Sequence, residues 1–255
     1  MNFVFKFLAF IYAGSSFLER KIFIKNIKKN DIVLDLGSGD KPFWRADIIV
    51  DKFLDDDQQR HSGAMQYDNR KIFLQADVES LPFKDKVFDF AFCSHLLEHV
   101  ENPDKAISEI TRVAKKGYIE VPNGIVDLFK PFPPHLWLCQ YKDGVLIFRQ
   151  KEKEKNFFMD TTEHFGKIFF HMAMIQYLFA KYYKSIFITL YWNNSVKNKV
   201  ERVRNPYKYA YKEELHNKTV FTKISFVLYK FYYFFITAFF YKKKNIDIKQ
   251  FLKNG

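Results

Sequence analysis

The feature that most constrains this chain is a series of short apolar runs, each closed by a residue that stops a strand. Residues 31–36 enter Gly37-Ser38-Gly39. Residues 46–50 stop at Asp51, residues 72–76 at Asp77 and residues 118–121 at Pro122-Asn123, while residues 87–93 lead into Ser94-His95. Apolar runs of this length between glycine and polar stops read as buried strands. Between the fourth and fifth runs, Ala106, Ile107, Ile110, Val113 and Ala114 recur at helical spacing. Asn102 is the expected cap of that helix, Pro103 its first residue and Gly117 its stop. Strands alternating with helical stretches predict an α/β fold, doubly wound, with a mostly parallel sheet and helices on both faces.

In such a sheet ligands bind beyond the carboxyl ends of the strands. Four features gather there. Asp35 precedes Gly37 and Gly39, whose backbones can turn sharply and approach a ligand closely. Asp51 ends the second run, where a carboxylate can accept hydrogen bonds from a ribose. Asp77 follows the third run, and Ser94-His95 the fourth. A dinucleotide-binding GxGxxG is not met, because Pro42 stands at its last position. That disfavours a pyrophosphate-binding dehydrogenase.

Taken together, the segments Val33-Leu34-Asp35-Leu36-Gly37-Ser38-Gly39, Ala76-Asp77-Val78-Glu79-Ser80-Leu81-Pro82-Phe83, Phe88-Asp89 and Leu97-Glu98-His99-Val100 resemble class I S-adenosylmethionine (SAM) dependent methyltransferases, type 11 subgroup, over residues 31–123. The resemblance implies a Rossmann-like sheet with SAM as cofactor. It places Gly37 and Gly39 against the amino-acid part of SAM and Asp35 at the loop and the methionine ammonium. Asp51 would take the ribose hydroxyls, Asp77 the adenine amino group with the backbone of Val78 beside the ring, and Ser94 and His95 would border the methyl group. Lys41 departs from the pattern, since many members carry a third glycine there.

An oxygen acceptor also needs a base, and histidine is suited to it. His95 is the candidate; His99 and His135 are the other histidines near the site, and Glu98 is read as an orienting or substrate-binding group. Cys93 and Cys139 lie in no CxxC or Cys/His cluster, so neither a disulfide framework nor a metal site is expected.

The net charge of +12 is unevenly spread: residues 140–255 carry +13, residues 31–139 carry −6. Three regions are expected: an amphipathic helical segment at 1–30, a SAM-binding domain with a hairpin at 31–155, and a basic, aromatic-rich helical extension at 156–255. The hairpin signal is Asp143-Gly144 between two apolar runs. Within the extension, residues 219–244 place Lys223, Lys230, Thr237 and Lys244 seven apart, predicting one polar stripe on an otherwise apolar and tyrosine-rich helix. A helix lying in a membrane interface, a helix buried against the domain or a partner subunit, and a true span compete for it. Lys230 near the centre disfavours a span.

Residues 117–122, followed by a His-x-Trp and a hairpin, resemble methyltransferases of bacterial surface polysaccharides. This directs the expected acceptor to a sugar hydroxyl or other small molecule, lipid-linked in one reading, at the inner face of a membrane in the cytoplasm. Two alternatives stay open. One is an RNA-directed methyltransferase using the basic tail, although nucleic acid is not favoured because Cys93-Ser94-His95-Leu96 stands where a base-amino methylase carries Asn/Asp-Pro-Pro-Tyr/Phe. The other is a non-catalytic SAM-binding partner subunit. The oligomeric state is open.

Overall fold

The computed structural model describes residues 2–53, 67–153, 161–166, 172–208 and 220–253. A six-stranded sheet of order β3-β2-β1-β4-β5-β8 forms its centre. It is built from β1 (Val33–Leu36), β2 (Ile48–Asp51), β3 (Ile72–Gln75), β4 (Phe90–Ser94), β5 (Lys116–Pro122) and β8 (Phe187–Asn193). The first five are parallel, and β8 closes the β5 edge antiparallel. All four residues of β1 and of β2 are buried, which is why their sequences are continuous apolar runs rather than alternating ones.

Each face of the sheet has its own core. On one side Leu34, Leu36, Ile48, Val50, Ala91, Cys93, Ile119 and Val121 pack against Ala106, Ile107, Ile110 and Val113 of α2 (Pro103–Val113). Burial of each large aliphatic side chain there contributes about 1.5–3 kcal/mol. On the other side Val33, Ile49, Phe90, Phe92 and Tyr118 pack against Phe43 and Ala46, with Ile24 and Ile27 from the N-terminal segment. That segment is α1 (Asn2–Phe17) running into a π-helical turn, Leu18–Ile22. The chain between β1 and β2 forms no helix, and part of its cover comes from α6 (Val220–Phe240). Tyr229 donates to the carbonyl of Pro42 at 2.6 Å, and Tyr241, just beyond the helix, donates to Asp47 at 3.4 Å.

Residues 136–150 fold as the expected hairpin, β6 (Trp137–Lys142) and β7 (Val145–Gln150), with Asp143 and Gly144 at positive φ. The hairpin does not extend the main sheet; β7 pairs with β9 (Asn198–Glu201) in a separate three-stranded sheet, and Trp137, Cys139, Leu146 and Phe148 share one core with the main sheet. The region 156–255, expected to be helical, therefore contributes two strands besides α4 (Ala173–Lys181), α5 (Tyr183–Ile186) and α6. Between β5 and β6 lies the short α3 (Gly124–Phe129).

Three local readings are corrected. Gly117 does not stop α2; it lies inside β5, where a Cβ would sit 2.3 Å from the carbonyl oxygen of Ala91 and 2.7 Å from Trp192. Asn102 does not cap α2 with its side chain; its backbone N–H and its Nδ2 donate to Glu79 at 2.9 and 2.8 Å. The seven-residue polar stripe does not form one face. Thr237 is buried with its hydroxyl on the carbonyl of Tyr233, Lys230 is exposed, and Lys244 lies beyond the helix, donating to Asp31 and Asp47. Thr219 and the side chain of Lys223 lie outside the described residues. Among the described residues, no helix is long and apolar enough to cross a membrane.

Candidate functional site

Parallel pairing brings the carboxyl ends of β1, β2 and β4 together, with β3 beside β2. After β1 the chain turns through Gly37 (φ 65°) and Gly39 (φ 53°), a backbone that only glycine adopts cheaply. A Cβ on Gly37 would also lie 2.7 Å from the Leu96 side chain, so this turn is pressed against the loop after β4. The Gly37 amide donates to the carbonyl of Val50 at 2.8 Å. The two oxygens of Asp51 accept from the amides of Gly39 and Phe53 at 2.9 and 3.0 Å. Asp51 thus braces the glycine turn through both of its oxygens.

Asp35 is buried, and one of its oxygens accepts from the Phe43 amide at 2.7 Å. Burial pushes its carboxyl up to about 7, against the pull of that hydrogen bond and of Lys21 and Lys71. Asp77 accepts from the Glu79 amide at 2.9 Å and pairs with Lys52 at 2.7 Å. Burial raises its pKa, but the Lys52 contact and the amide hold it below the ordinary value. Val78 beside it is buried.

The end of β4 carries a polar network that local sequence does not announce. Ser94 donates to Glu120 at 2.8 Å, and Glu120, buried on β5, also accepts from Arg20 at 2.8 Å and from the Tyr118 hydroxyl at 2.7 Å. Lys21 donates to the Ser94 hydroxyl. Burial pulls the Lys21 ammonium down, with Glu120 opposing. The cations raised on the π-helical turn thus neutralise Glu120, whose carboxyl burial would raise but the facing Lys21, His95 and Arg20 hold well below the usual range. Arg20 also stacks its guanidinium 3.9 Å over Phe187.

His95, at φ 56°, sits between two carboxylates, its Nδ1 3.1 Å from Glu98 and its Nε2 3.2 Å from Glu120. Burial lowers its pKa, but the two carboxylate contacts outweigh this and raise it. His99 is not on a helix: residues 97–100 form a turn, and its Nδ1 lies 3.2 Å from the carbonyl of Pro134. Its ring is driven down to about 4, chiefly by burial. His135 places Nδ1 2.7 Å from buried Asp127, and its Nε2 faces Glu98.

Arg20, Lys21, Glu120 and Asp127 escape a local reading. Glu120 alone leaves a trace, as a carboxylate inside an otherwise apolar run. Both cysteines are free and buried. A shallow cleft lined by Asp47, Arg70, Lys71 and Lys244 lies at the opposite, amino-terminal end of the strands.

The glycine turn has room for further bonds. Ser38 Oγ and Asp40 Oδ2 are buried and have no hydrogen-bond partner. Buried polar atoms ordinarily have one. With Asp35, Asp51 and Asp77 at three strand ends, these atoms form a set of acceptors suited to a ligand rich in donors: an ammonium, a ribose diol and an adenine amino group. The residues present fit SAM.

Residues 49–119 match the family described as methyltransferase domain. An uncharacterised protein of Methanocaldococcus jannaschii is 34% identical over 87 residues, which cover 33% of this chain and 35% of that one. The malonyl-[acyl-carrier protein] O-methyltransferase of Buchnera aphidicola is 33% identical over 91 residues, covering 34% and 37%. The chain thus spans about a third of the length of these curated relatives. Among solved structures, a SAM-dependent methyltransferase from Thermotoga maritima aligns with a TM-score of 0.35 at 20% identity, over 46% of this chain and 56% of that one. The matched segment, which is similar to a methyltransferase domain, holds Asp51, Asp77, Ser94 and His95 at or just beyond the strand ends described above.

Proposed function

We propose that the whole chain is a SAM-dependent methyltransferase that methylates a hydroxyl of a sugar or other small molecule at a membrane surface. The observation that carries the first part is that Asp35 and Asp51 brace a glycine turn and the loop after it, where the Ser38 and Asp40 oxygens have no partner, with Asp77 just beyond the end of β3 beside β2. When bound, SAM supplies an activated methyl group on a sulfonium, which leaves as a neutral thioether. This chain's residues hold and orient it. Asp35 would hold the methionine ammonium, Asp51 the ribose hydroxyls, and Asp77 the adenine amino group with Val78 beside the ring. Ser94 and His95 border the acceptor position.

His95 places its two ring nitrogens on the buried carboxylates of Glu98 and Glu120. As base it takes up the acceptor's proton on a neutral ring, and the two carboxylates stabilise the imidazolium that forms.

The surface supports the second part. On α6, Tyr229, Tyr233 and Thr237 face inward, while Phe231, Phe234 and Phe239 are at least 70% exposed. Phe17 of α1 packs on Tyr229 and Tyr232, so α1, with its exposed Phe3, Phe7 and Phe10, adjoins this face. An exposed apolar face flanked by Lys242 and Lys243 suits the headgroup boundary of an anionic leaflet.

The test is calorimetry of S-adenosylhomocysteine with wild type and Asp51→Ala. Micromolar binding lost in the variant supports the cofactor site; absence of binding to the folded wild type refutes it. Acceptors are then screened starting from lipid-linked sugars.

A further inference from the structure

We propose that Glu98, His99 and His135 form a binding site for one divalent transition-metal ion, of which zinc is the best match. Their ligand atoms lie within 4.8 Å of one another. His99 Nε2 and His135 Nε2 stand 3.9 and 3.8 Å from the same oxygen of Glu98.

The hydrogen bonds behind these rings decide which atoms are offered. The Pro134 carbonyl can only accept, so His99 carries its proton on Nδ1, 3.2 Å away. The Asp127 carboxylate fixes the Nδ1 proton of His135 in the same way at 2.7 Å. Both Nε2 lone pairs are left facing Glu98. A carbonyl behind one histidine and a carboxylate behind the other is the support that metal-bound histidines ordinarily have.

Glu98 supplies the second, independent observation. It is fully buried; its Oε1, which faces both rings, also lies 3.1 Å from His95 Nδ1, and its Oε2 has no hydrogen-bond partner. A buried carboxylate with an unsatisfied oxygen is costly. Lone pairs facing a carboxylate repel it, whereas a dication between the three groups offsets that repulsion.

The scaffold is stiff enough for the task. The Leu136 amide donates to the Glu98 carbonyl at 2.8 Å, and the Trp137 indole donates to the Val100 carbonyl at 2.7 Å, tying the His135 loop to the turn that holds Glu98 and His99. Ligand atoms around tetrahedral zinc stand about 3.3 Å apart, from bond lengths of about 2.0–2.1 Å. The two nitrogens close in on Glu98 by roughly half an ångström to reach that spacing, and the widest pair of ligand atoms, within 4.8 Å of each other, by up to about 1.5 Å. Two imidazoles and one carboxylate favour zinc over magnesium or calcium, and three protein ligands leave a coordination position open. The local sequence hides this site because Asp127 comes from α3, and Pro134 and His135 from the loop after it, far from Glu98 and His99.

The experiment is titration of the chelator-stripped full chain with zinc chloride by calorimetry, with visible absorption of the cobalt(II) form as a second readout. The expected result is one equivalent per chain and the d–d bands of tetrahedral cobalt. Asp127→Asn, which keeps the shape behind His135, should weaken zinc by about 10–100-fold. His99→Gln and His135→Gln should remove it. Circular dichroism of the metal-free variants shows whether each is folded, and where one is not, the wild-type titration decides. Failure of folded wild type to bind zinc or cobalt overturns the proposal, as does binding unchanged in folded His99→Gln and His135→Gln. Neither readout depends on SAM or on methyl transfer.

Discussion

Acidification should weaken cofactor binding through Asp35. Its carboxyl is pushed up to about 7 because it is buried at the end of β1, with only the Phe43 amide bonded to it. The methionine ammonium of S-adenosylhomocysteine attracts the carboxylate and gains nothing from the neutral acid. The ligand therefore binds the deprotonated fraction, which falls tenfold for each pH unit below 7. Between pH 8 and pH 5.5 the affinity should drop by about 30-fold, or ~2 kcal/mol. Calorimetry in two buffers of different ionisation enthalpy supplies the check, since binding at pH 6 should release nearly one proton. Asp35→Asn should bind weakly at every pH and lose the proton release. The free protein runs the other way. A carboxyl whose folded pKa is raised holds a proton that the unfolded chain releases between about 4 and 7, so this group's contribution to stability falls as pH rises through that window. Asp35→Asn should accordingly melt higher than wild type at pH 8. An affinity flat from pH 5.5 to 8, with no proton release, would refute both the role of Asp35 and the effect assigned to its burial.

Three further outcomes follow from the packing. Gly117→Ala drives a methyl group into the Ala91 carbonyl and Trp192 and should cost about 3 kcal/mol in urea denaturation; an unchanged midpoint would mean that β4, β5 and β8 are not packed as described. Glu120→Gln leaves Arg20 and Lys21 without their carboxylate and should cost about 3 kcal/mol near neutral pH. Because the folded pKa of Glu120 is depressed, its contribution is present above about 4.3 and lost as pH falls through the folded value, so wild type and variant should converge in strong acid. In co-sedimentation with anionic vesicles, Phe231→Ser and Phe239→Ser should each lower partitioning about fivefold, the loss of ~1 kcal/mol of apolar burial; equal binding by wild type and both variants would argue for a different docking face.

Legibility followed the range of the interactions. Strands β1, β2 and β4 read plainly because both faces of the sheet are covered, which makes their sequences apolar apart from Asp35, Asp51 and Ser94. The Asp143-Gly144 turn read plainly because two consecutive positive φ angles demand that dipeptide. By contrast β8 is an edge strand with Ile188 and Trp192 buried and Thr189, Tyr191 and Asn193 exposed, and among so many aromatic residues its pattern does not separate from a helix. Gly117 misled because a glycine after a helical stretch ordinarily stops it, whereas here the demand comes from Trp192, far along the chain. The strand-end acidic residues were visible as stops. The cluster around Glu120 was not, because Arg20 and Glu120 are a hundred residues apart.

These long-range contacts tie the two ends of the chain to one face of the site. Where a helix would ordinarily join β1 to β2, this chain has the glycine turn followed by a loop, and the two termini supply part of the missing cover. The N-terminal segment drives Lys21 into the end of β4, and α6 grips the glycine-turn loop through Tyr229 at Pro42. Phe17 packs directly on Tyr229 and Tyr232, joining the two covers to each other. The exposed phenylalanines thus belong to the same helices that hold Lys21 and Pro42 in place. A surface that engages those phenylalanines bears on the cofactor turn and on the acceptor end of β4 through only one layer of side chains. On the proposed reading, membrane contact and cofactor binding share a single mechanical unit, and substitutions at Tyr229 or Phe17 should act on both.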